Sequence, residues 1–206
     1  MDITHLGHSS FRIRGKNAIV VTDPFDPVIG IKFPKHFAAD IVTVSHEHKD
    51  HNATGEVEGS PFIVRGPGEY DIKGVGIVGQ SVFHDEKKGA ERGKNTIFRI
   101  EVDGVSIVHL GDLGHLLSSD EVEALDGVDI LMIPVGGVHT IDATKAVQII
   151  NDIEPSIVIP MHYGINALSP VSVFLKEMGK ESIVPQPKLV ISKDKLPSEM
   201  QVVVLE

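Results

Sequence analysis

Three histidines and an aspartate lie within six residues of the chain, in the segment His46-Glu47-His48-Lys49-Asp50-His51. The segment directly follows residues 41–45, a short apolar run that predicts a buried strand. Imidazole and carboxylate groups together form a ligand set that suits zinc, iron or manganese. A compact turn at the end of a rigid strand can direct such side chains toward one point. We therefore interpret the segment as the start of a metal site, with a histidine-rich surface loop as the alternative.

The pattern His-x-His-x-Asp-His after a buried strand resembles the signature of the metallo-β-lactamase superfamily. Three further positions match that superfamily in its order along the chain, each at or just after the end of a predicted strand: His84, Asp112 and His162. Residues 3–10 (ITHLGHSS) and 21–25 (VTDPF) are similar to one branch in particular. That branch holds small metal-dependent hydrolases related to the L-ascorbate-6-phosphate lactonases. The resemblance covers nearly the whole chain.

The resemblance implies a site for two divalent metal ions with seven protein ligands. The seven divide into one set for each ion and one bridge: His46, His48 and His84; Asp50, His51 and His162; and Asp112. Each ion keeps a position open for water under this division, as catalytic metal sites do. Zinc is the expected metal, with manganese or iron as alternatives.

Two metal ions about 3.5–4 Å apart can share a hydroxide, because each lowers the pKa of bound water from about 15.7 toward 7. The resemblance therefore predicts a hydrolase in which a metal-bound hydroxide cleaves a small ester, lactone or phosphoester. Asp50 is the predicted catalytic residue, because it would bind metal and orient the nucleophile. A di-iron redox protein of oxygen or nitric oxide chemistry and a non-catalytic metal-binding protein remain the alternatives.

His8 and Asp23 lie in the two opening segments that resemble the family. We predict that both orient the metal ligands from outside the coordination shell, as groups behind metal-bound histidines often do. A surface histidine and a turn aspartate are the alternative interpretation.

Residues 85–94 (DEKKGAERGK) are polar and contain glycine, which predicts a mobile surface loop directly after His84. A plain solvated loop is the favoured interpretation, and contact of its cations with an anionic substrate is the alternative. The candidate substrate contacts are Lys87, Lys88, Arg92 and Lys94, together with His139 in a later loop.

The elements that must position these residues are mostly strands. Residues 10–14 alternate apolar and polar and are separated by a turn signal from the apolar residues 18–21, which predicts a hairpin. Apolar residues recur at helical spacing over residues 143–153, with Asp142 as the predicted N-cap. The pattern indicates one α/β domain spanning residues 1–206. The resemblance implies a four-layer αββα sandwich with the metals at one edge between the sheets.

Composition limits the remaining possibilities. A formal charge of −10 without a Lys/Arg stripe argues against a nucleic-acid partner, since that affinity comes largely from neutralising phosphates. The chain has no cysteine, which excludes disulfides and thiolate ligands. We find no signal-peptide pattern and no apolar run of membrane-spanning length, so we expect a cytoplasmic protein with a small-molecule substrate and no membrane contact. The oligomeric state is not fixed by the sequence.

Overall fold

Runs of Val and Ile place most of the chain in two mixed β-sheets, in a computed structural model that describes all 206 residues. The strands in chain order are β1 (Asp2–Gly7), β2 (Ser10–Arg14), β3 (Ile19–Thr22), β4 (Ile41–Val44), β5 (Phe62–Arg65), β6 (Gly68–Ile72), β7 (Val75–Phe83), β8 (Lys94–Val102), β9 (Val105–His109), β10 (Ile130–Pro134), β11 (Ile157–Met161), β12 (Leu189–Val190) and β13 (Gln201–Val202). The α-helices are α1 (Ser119–Glu123), α2 (Ala143–Ile153) and α3 (Val171–Glu177).

The first sheet has the strand order β12-β1-β2-β3-β4-β5, and the second has the order β13-β11-β10-β9-β8-β7-β6. Strands β3, β4 and β5 run parallel to one another, as do β9, β10, β11 and β13. The other pairs are antiparallel. This confirms the predicted α/β class with two sheets.

The main core lies between the two sheets. Phe11 and Ile13 of the first sheet belong to the same buried cluster as Phe98 and Ile100 of the second. All four side chains are fully buried. Because successive strand residues point to opposite faces, their neighbours in sequence are left for the outer faces. The two sheets are therefore held together by apolar packing along their full inner faces.

The two outer faces are covered in different ways. The second sheet carries the helices, with Ala146 and Ile149 of α2 and Phe174 of α3 in one buried cluster with its outward-facing strand residues. The outer face of the first sheet is covered by the segments before and after β4, residues 24–40 and 45–57, which contribute Phe25, Phe33 and Val57 and whose only helices are short 3-10 helices. The α-helical layer of the expected αββα sandwich is therefore present on one sheet only.

Local sequence signals account well for several elements. The hairpin of β2 and β3 is present, and the side chain of Asp142 accepts a hydrogen bond from the Lys145 N–H at the start of α2. The apolar residues that begin at Ile97 predict a strand start at that position, but β8 begins three residues earlier at Lys94, because Lys94 pairs with Phe83 of β7. None of the three helices has the length and apolar character required to cross a membrane.

Candidate metal centre

The predicted site residues follow strands whose ends meet. Strands β9, β10 and β11 are parallel, and β7 is related to β9 through the antiparallel strand β8, so their carboxyl ends share one edge of the second sheet. His84 follows β7, Asp112 lies three residues beyond β9 and His162 follows β11. His46 lies two residues beyond β4 of the first sheet. The sheet topology therefore brings together residues that are far apart in sequence.

Two glycines allow the segments around the site to pack closely. A β-carbon on Gly136 would lie 2.2 Å from the carbonyl oxygen of His162, and one on Gly114 would lie 2.3 Å from the carbonyl carbon of His84. Both neighbours are backbone atoms, which cannot move aside as a flexible side chain can. These two positions therefore admit glycine only, and they fix where His84 and His162 stand.

Asp112 is the centre of the cluster. Its Oδ2 lies 3.3 Å from Nε2 of His84 and 3.3 Å from Nε2 of His162. Its Oδ1 lies 3.2 Å from Nε2 of His51, while Nε2 of His46 is 3.8 Å from Oδ2. One carboxylate thus faces four imidazoles, which is the position expected of a bridging ligand.

These separations fit a shared metal better than hydrogen bonds. Charge-assisted N–H···O bonds are about 2.7–2.9 Å long. Two ligands on one tetrahedral ion, with bonds of about 2.0–2.2 Å, are about 3.3–3.6 Å apart. Nε2 of His46, Nε2 of His51 and Oδ1 of Asp112 are also buried without any hydrogen-bond partner. Since such orphaned atoms are rare in native proteins, the donor set fits a bound cation.

The donors form two groups around Asp112. His46, His48 and His84 each present one donor atom within 4.8 Å of the others, and their ring centroids are 4.6–5.1 Å apart. Asp50, His51 and His162 form a second group of the same kind, which also contains His8. The structure therefore brings all seven predicted ligands together and adds one residue to the second group.

Asp23 holds two of the histidines from behind. Its Oδ2 accepts a hydrogen bond of 2.9 Å from Nδ1 of His51 and one of 2.5 Å from Oγ of Ser45. Since the Ser45 hydroxyl proton is used on Asp23, Oγ accepts from Nδ1 of His46 at 3.0 Å. The Nε2 atoms of both histidines are thereby left facing Asp112. A carboxylate in this position can fix the tautomer and orientation of metal-binding histidines, which is the role predicted for Asp23 and stays a prediction.

Burial keeps part of the cluster uncharged. Desolvation lowers the pKa of His46 to about 3 and that of His8 to about 4, so both are neutral at pH 7. Desolvation also opposes the charged form of His51, but Asp112 and Asp23 raise the pKa of His51 well above 6.5. His51 is therefore the histidine of the cluster whose charged form the neighbouring carboxylates favour. A histidine must be neutral to bind a metal, so metal binding would compete with that charged form.

Asp23→Asn tests whether Asp23 orients His46 and His51 for metal binding. Oδ1 of Asp23 accepts from the Ser45 N–H at 2.7 Å and Oδ2 accepts two further bonds, so an amide in either orientation places an NH2 group against a donor. We expect metal affinity to fall about 10–100-fold, the usual effect of losing such a partner. Isothermal titration with zinc would measure it. Asp40→Asn is the matched control, since Asp40 binds Ile19 and Lys73. Unchanged affinity in the Asp23 variant would contradict the assigned role.

A cavity of about 140 Å³ opens onto the cluster. Its lining includes His48, Asp50 and His162 of the cluster and the predicted substrate contacts Arg92 and His139. The other three predicted contacts are absent from this lining. Lys87 pairs with Glu91, Lys94 lines a neighbouring groove, and Lys88 lines neither space. Of the five predicted substrate contacts, Arg92 and His139 therefore line this cavity. Lys94 lies with His46 and His48 in the lining of the neighbouring groove.

The segment 85–94 is ordered around one carboxylate. Oδ1 of Asp85 accepts hydrogen bonds from the N–H groups of Lys87 and Gly89, and Oδ2 accepts from those of Glu91 and Arg92. The prediction of a mobile loop overlooked this carboxylate, because turn composition does not reveal which acceptor satisfies the backbone. The four bonds hold Arg92 at the mouth of the cavity.

Sequence reasoning missed the apolar side of the cavity. Ile29, Val138, Ile165 and Leu168 form much of its wall. They come from three loops, so no local periodicity connects them. Val138 has a φ of 63°, a conformation that is strained for a β-branched residue and that often occurs at functional sites.

His8 occupies a different position from the one predicted. It makes no hydrogen bond to a ligand ring, in contrast to Asp23, and instead stands inside the second group of donors. Sequence gave no indication of this, because the inward direction depends on a turn with φ values of 114° at Gly7 and 55° at His8.

Comparison with known proteins gives a consistent match. A family model described as a beta-lactamase superfamily domain matches residues 2–162, which include all seven predicted ligands. A UPF0173 metal-dependent hydrolase of Thermococcus onnurineus is 30% identical over 208 residues, covering 86% of this chain and 90% of that protein. Another from Staphylothermus marinus is 30% identical over 226 residues, covering 93% and 95%.

A solved structure from Thermotoga maritima agrees with these matches over the whole chain. It is 35% identical, with a TM-score of 0.80, and the alignment covers 99% of this chain and 97% of that one. Its name proposes a zinc-dependent hydrolase of the metallo-β-lactamase superfamily.

Proposed function

This chain belongs to the metallo-β-lactamase superfamily, and on that premise we propose that it is a metal-dependent hydrolase of a small ester, lactone or phosphoester. The observation that carries the proposal is the convergence of five histidines and two aspartates at one edge of the sheets. Five of these seven residues are buried, and three of their donor atoms have no hydrogen-bond partner. The separations around Asp112 match those between ligands of shared ions. The relatives named as metal-dependent hydrolases support the same activity.

Three residues, His46, His48 and His84, would hold one ion, and Asp50, His51 and His162 would hold the other, with Asp112 shared between them. When bound, such ions lower the pKa of water to supply a nucleophile and stabilise the developing oxyanion. We propose zinc for this role, since imidazole and carboxylate donors suit it.

The side chains around the ions define what can bind. Asp50 has 31% of its side chain exposed and lines the cavity, so it contacts both the ligand cluster and the substrate space. Arg92 is the only Lys or Arg residue in the lining, and Val138 and Leu168 contribute apolar surface. This lining favours a small molecule with an anionic group near Arg92. A lactone that carries a phosphate or carboxylate is the first substrate to test, given the resemblance to L-ascorbate-6-phosphate lactonases.

A panel of substrates tests the proposed activity. The metal-loaded protein should hydrolyse at least one class among small esters, lactones and phosphodiesters, and a chelator should remove the activity. Absence of hydrolysis across the panel, with oxygen consumed by the iron-loaded protein, would support the redox alternative. Full metal binding without either activity would support a non-catalytic protein.

Arg92→Gln tests the anion contact. We expect KM for an anionic substrate to rise about 10-fold with kcat nearly unchanged, because a charge-assisted contact made equally in ground and transition state is lost. Steady-state kinetics at low salt would measure it. The difference should shrink as salt is added, since exposed charges are screened within about 10 Å at 0.1 M ionic strength.

Lys88→Gln is the matched control for Arg92→Gln. It removes a cation from the same segment, but its side chain is exposed and does not line the cavity. We expect its KM to equal that of the wild type. Equal KM values in the two variants at low salt would eliminate Arg92 as a substrate contact.

A further inference from the structure

His8 is a buried histidine whose ring has no hydrogen-bond partner at either nitrogen. It lies in the turn between β1 and β2, and only 5% of its side chain is exposed. Buried polar atoms of native proteins nearly always have a partner. The other orphaned atoms with this property include Nε2 of His46, Nε2 of His51 and Oδ1 of Asp112. His8 therefore shares the defining feature of the proposed metal donors.

The ring is directed at the second group of ligands. Nε2 of His8 lies 3.4 Å from Oδ2 of Asp50, and its ring centroid is 4.3 Å from that of His162 and 5.0 Å from that of His51. A separation of 3.4 Å is long for a charge-assisted hydrogen bond. It matches the spacing of about 3.3–3.6 Å between two ligands on one ion. The same spacing occurs between Asp112 and His162, at 3.3 Å.

The backbone around His8 is fixed to the rest of the site. The carbonyl oxygen of His8 accepts a hydrogen bond of 3.0 Å from the His162 N–H and one of 3.1 Å from Nε2 of His5. The next carbonyl, that of Ser9, accepts from Nε2 of the buried His109 at 2.8 Å. These bonds hold His8 at a φ of 55°, a left-handed conformation that persists only where the surroundings determine it. These backbone contacts therefore fix the turn from which the His8 ring projects toward the second group of donors.

We propose that His8 is an additional protein ligand of the ion held by Asp50, His51 and His162. The inference rests on the proposed metal site. The two ions would then differ in their number of protein ligands. The second ion would have five protein donors, counting the shared Asp112, and the first would have four. Catalytic zinc usually takes three protein ligands and a water. The second position would therefore provide more protein donors than a usual catalytic zinc site.

His8→Asn is the test, read out as metal affinity rather than activity. Asparagine tolerates the left-handed conformation but does not reproduce the imidazole donor. We expect one of the two ions to bind at least about 100-fold more weakly, beyond the usual range for an outer partner, and the other to bind as in the wild type. Chelator competition with metal content measured by mass spectrometry gives both affinities. Wild-type affinity at both positions, or a loss within the range of about 10–100-fold that outer partners cause, would overturn the proposal and leave His8 as a contact of Asp50 or substrate.

His36→Asn is the matched control. His36 also has a left-handed backbone, with φ of 65°, but its side chain is 85% exposed and pairs with Glu58. It should leave both affinities unchanged.

A second test uses the wild-type protein, so it can be carried out even if the His8→Asn variant does not fold. In a crystal structure of the metal-loaded wild type, Nε2 of His8 should lie about 2.0–2.3 Å from the ion. A distance beyond about 3 Å would reject the assignment. These results are separate from the proposed activity. Two bound ions with His8 ligated and no hydrolysis would reject only the hydrolase, and hydrolysis with His8 unligated would reject only this inference.

Discussion

Asp112→Asn should abolish stable metal binding and lower turnover more than about 100-fold. The carboxylate is nearly fully buried, and its two oxygens face four imidazoles from different elements. Burial alone would raise the pKa of Asp112, but His162 and His51 hold the pKa well below its usual value, so the group is charged. Asparagine removes that charge and points an NH2 group at one of the ions. Since outer partners of metal sites already cost 10–100-fold, loss of the bridge itself should exceed about 100-fold.

Metal content and kcat/KM of the purified Asp112 variant are the two readouts. Asp129→Asn is the control, because Asp129 is also a buried aspartate but binds Lys193 and the Ser106 N–H outside the site. The control should lose stability while it retains both ions. An Asp112 variant with two ions and normal turnover would show that the bridge has been assigned to the wrong residue.

Asp50→Ala should remove activity without unfolding the protein. Its side chain is 31% exposed, so the change removes a ligand at the cavity rather than core packing. We expect kcat to fall more than about 100-fold, by comparison with outer partners of metal sites. The metal-free protein should still show a cooperative unfolding transition, because no apolar core side chain is removed. Rates on the best substrate of the panel and urea unfolding curves would measure both.

Lys49→Ala is the matched control for Asp50→Ala. Lys49 is the neighbouring residue in the same turn, and its exposed side chain makes no hydrogen bond or ion pair. Its turnover should equal that of the wild type. An Asp50 variant that turns over normally with both ions bound would mean that another group orients the nucleophile.

The positions of the predicted ligands could be read from the sequence because each stands near the end of an apolar strand. The apolar run at residues 41–45 ends directly before His46, and β11, whose apolar run begins at Ile157, ends at Met161 directly before His162. Parallel pairing then places the ends of β9, β10 and β11 at one edge. Their convergence is therefore a consequence of strand topology, while their role as ligands stays a prediction.

The position of His8 could not be read in this way. It follows a turn glycine, and its direction is fixed by bonds to His162 and His5 rather than by its own periodicity. The same holds for Asp85, whose four backbone partners order a segment that composition describes as mobile. Local patterns report burial and turns, but they do not report which loop supplies the partner of a polar group.

The outer layer of the first sheet is a further feature that could not be predicted from the sequence. Residues 24–40 contain three prolines, which indicate a loop, and the resemblance implied a helical layer on each sheet. The loop itself buries Phe25 and Phe33 against the sheet. Apolar side chains can thus complete a layer without regular structure, provided that they cover the outward-facing strand residues.

Metal titration of the metal-free protein tests the central claim most directly. Initial rates on an ester, lactone and phosphodiester panel would be measured as zinc, manganese or iron(II) is added to chelator-treated protein. The account predicts no turnover without metal and a rate for at least one substrate class that rises with added ion and saturates near two equivalents per chain. Turnover that is the same in the metal-free protein, or absent across the panel when two ions are bound, would contradict it.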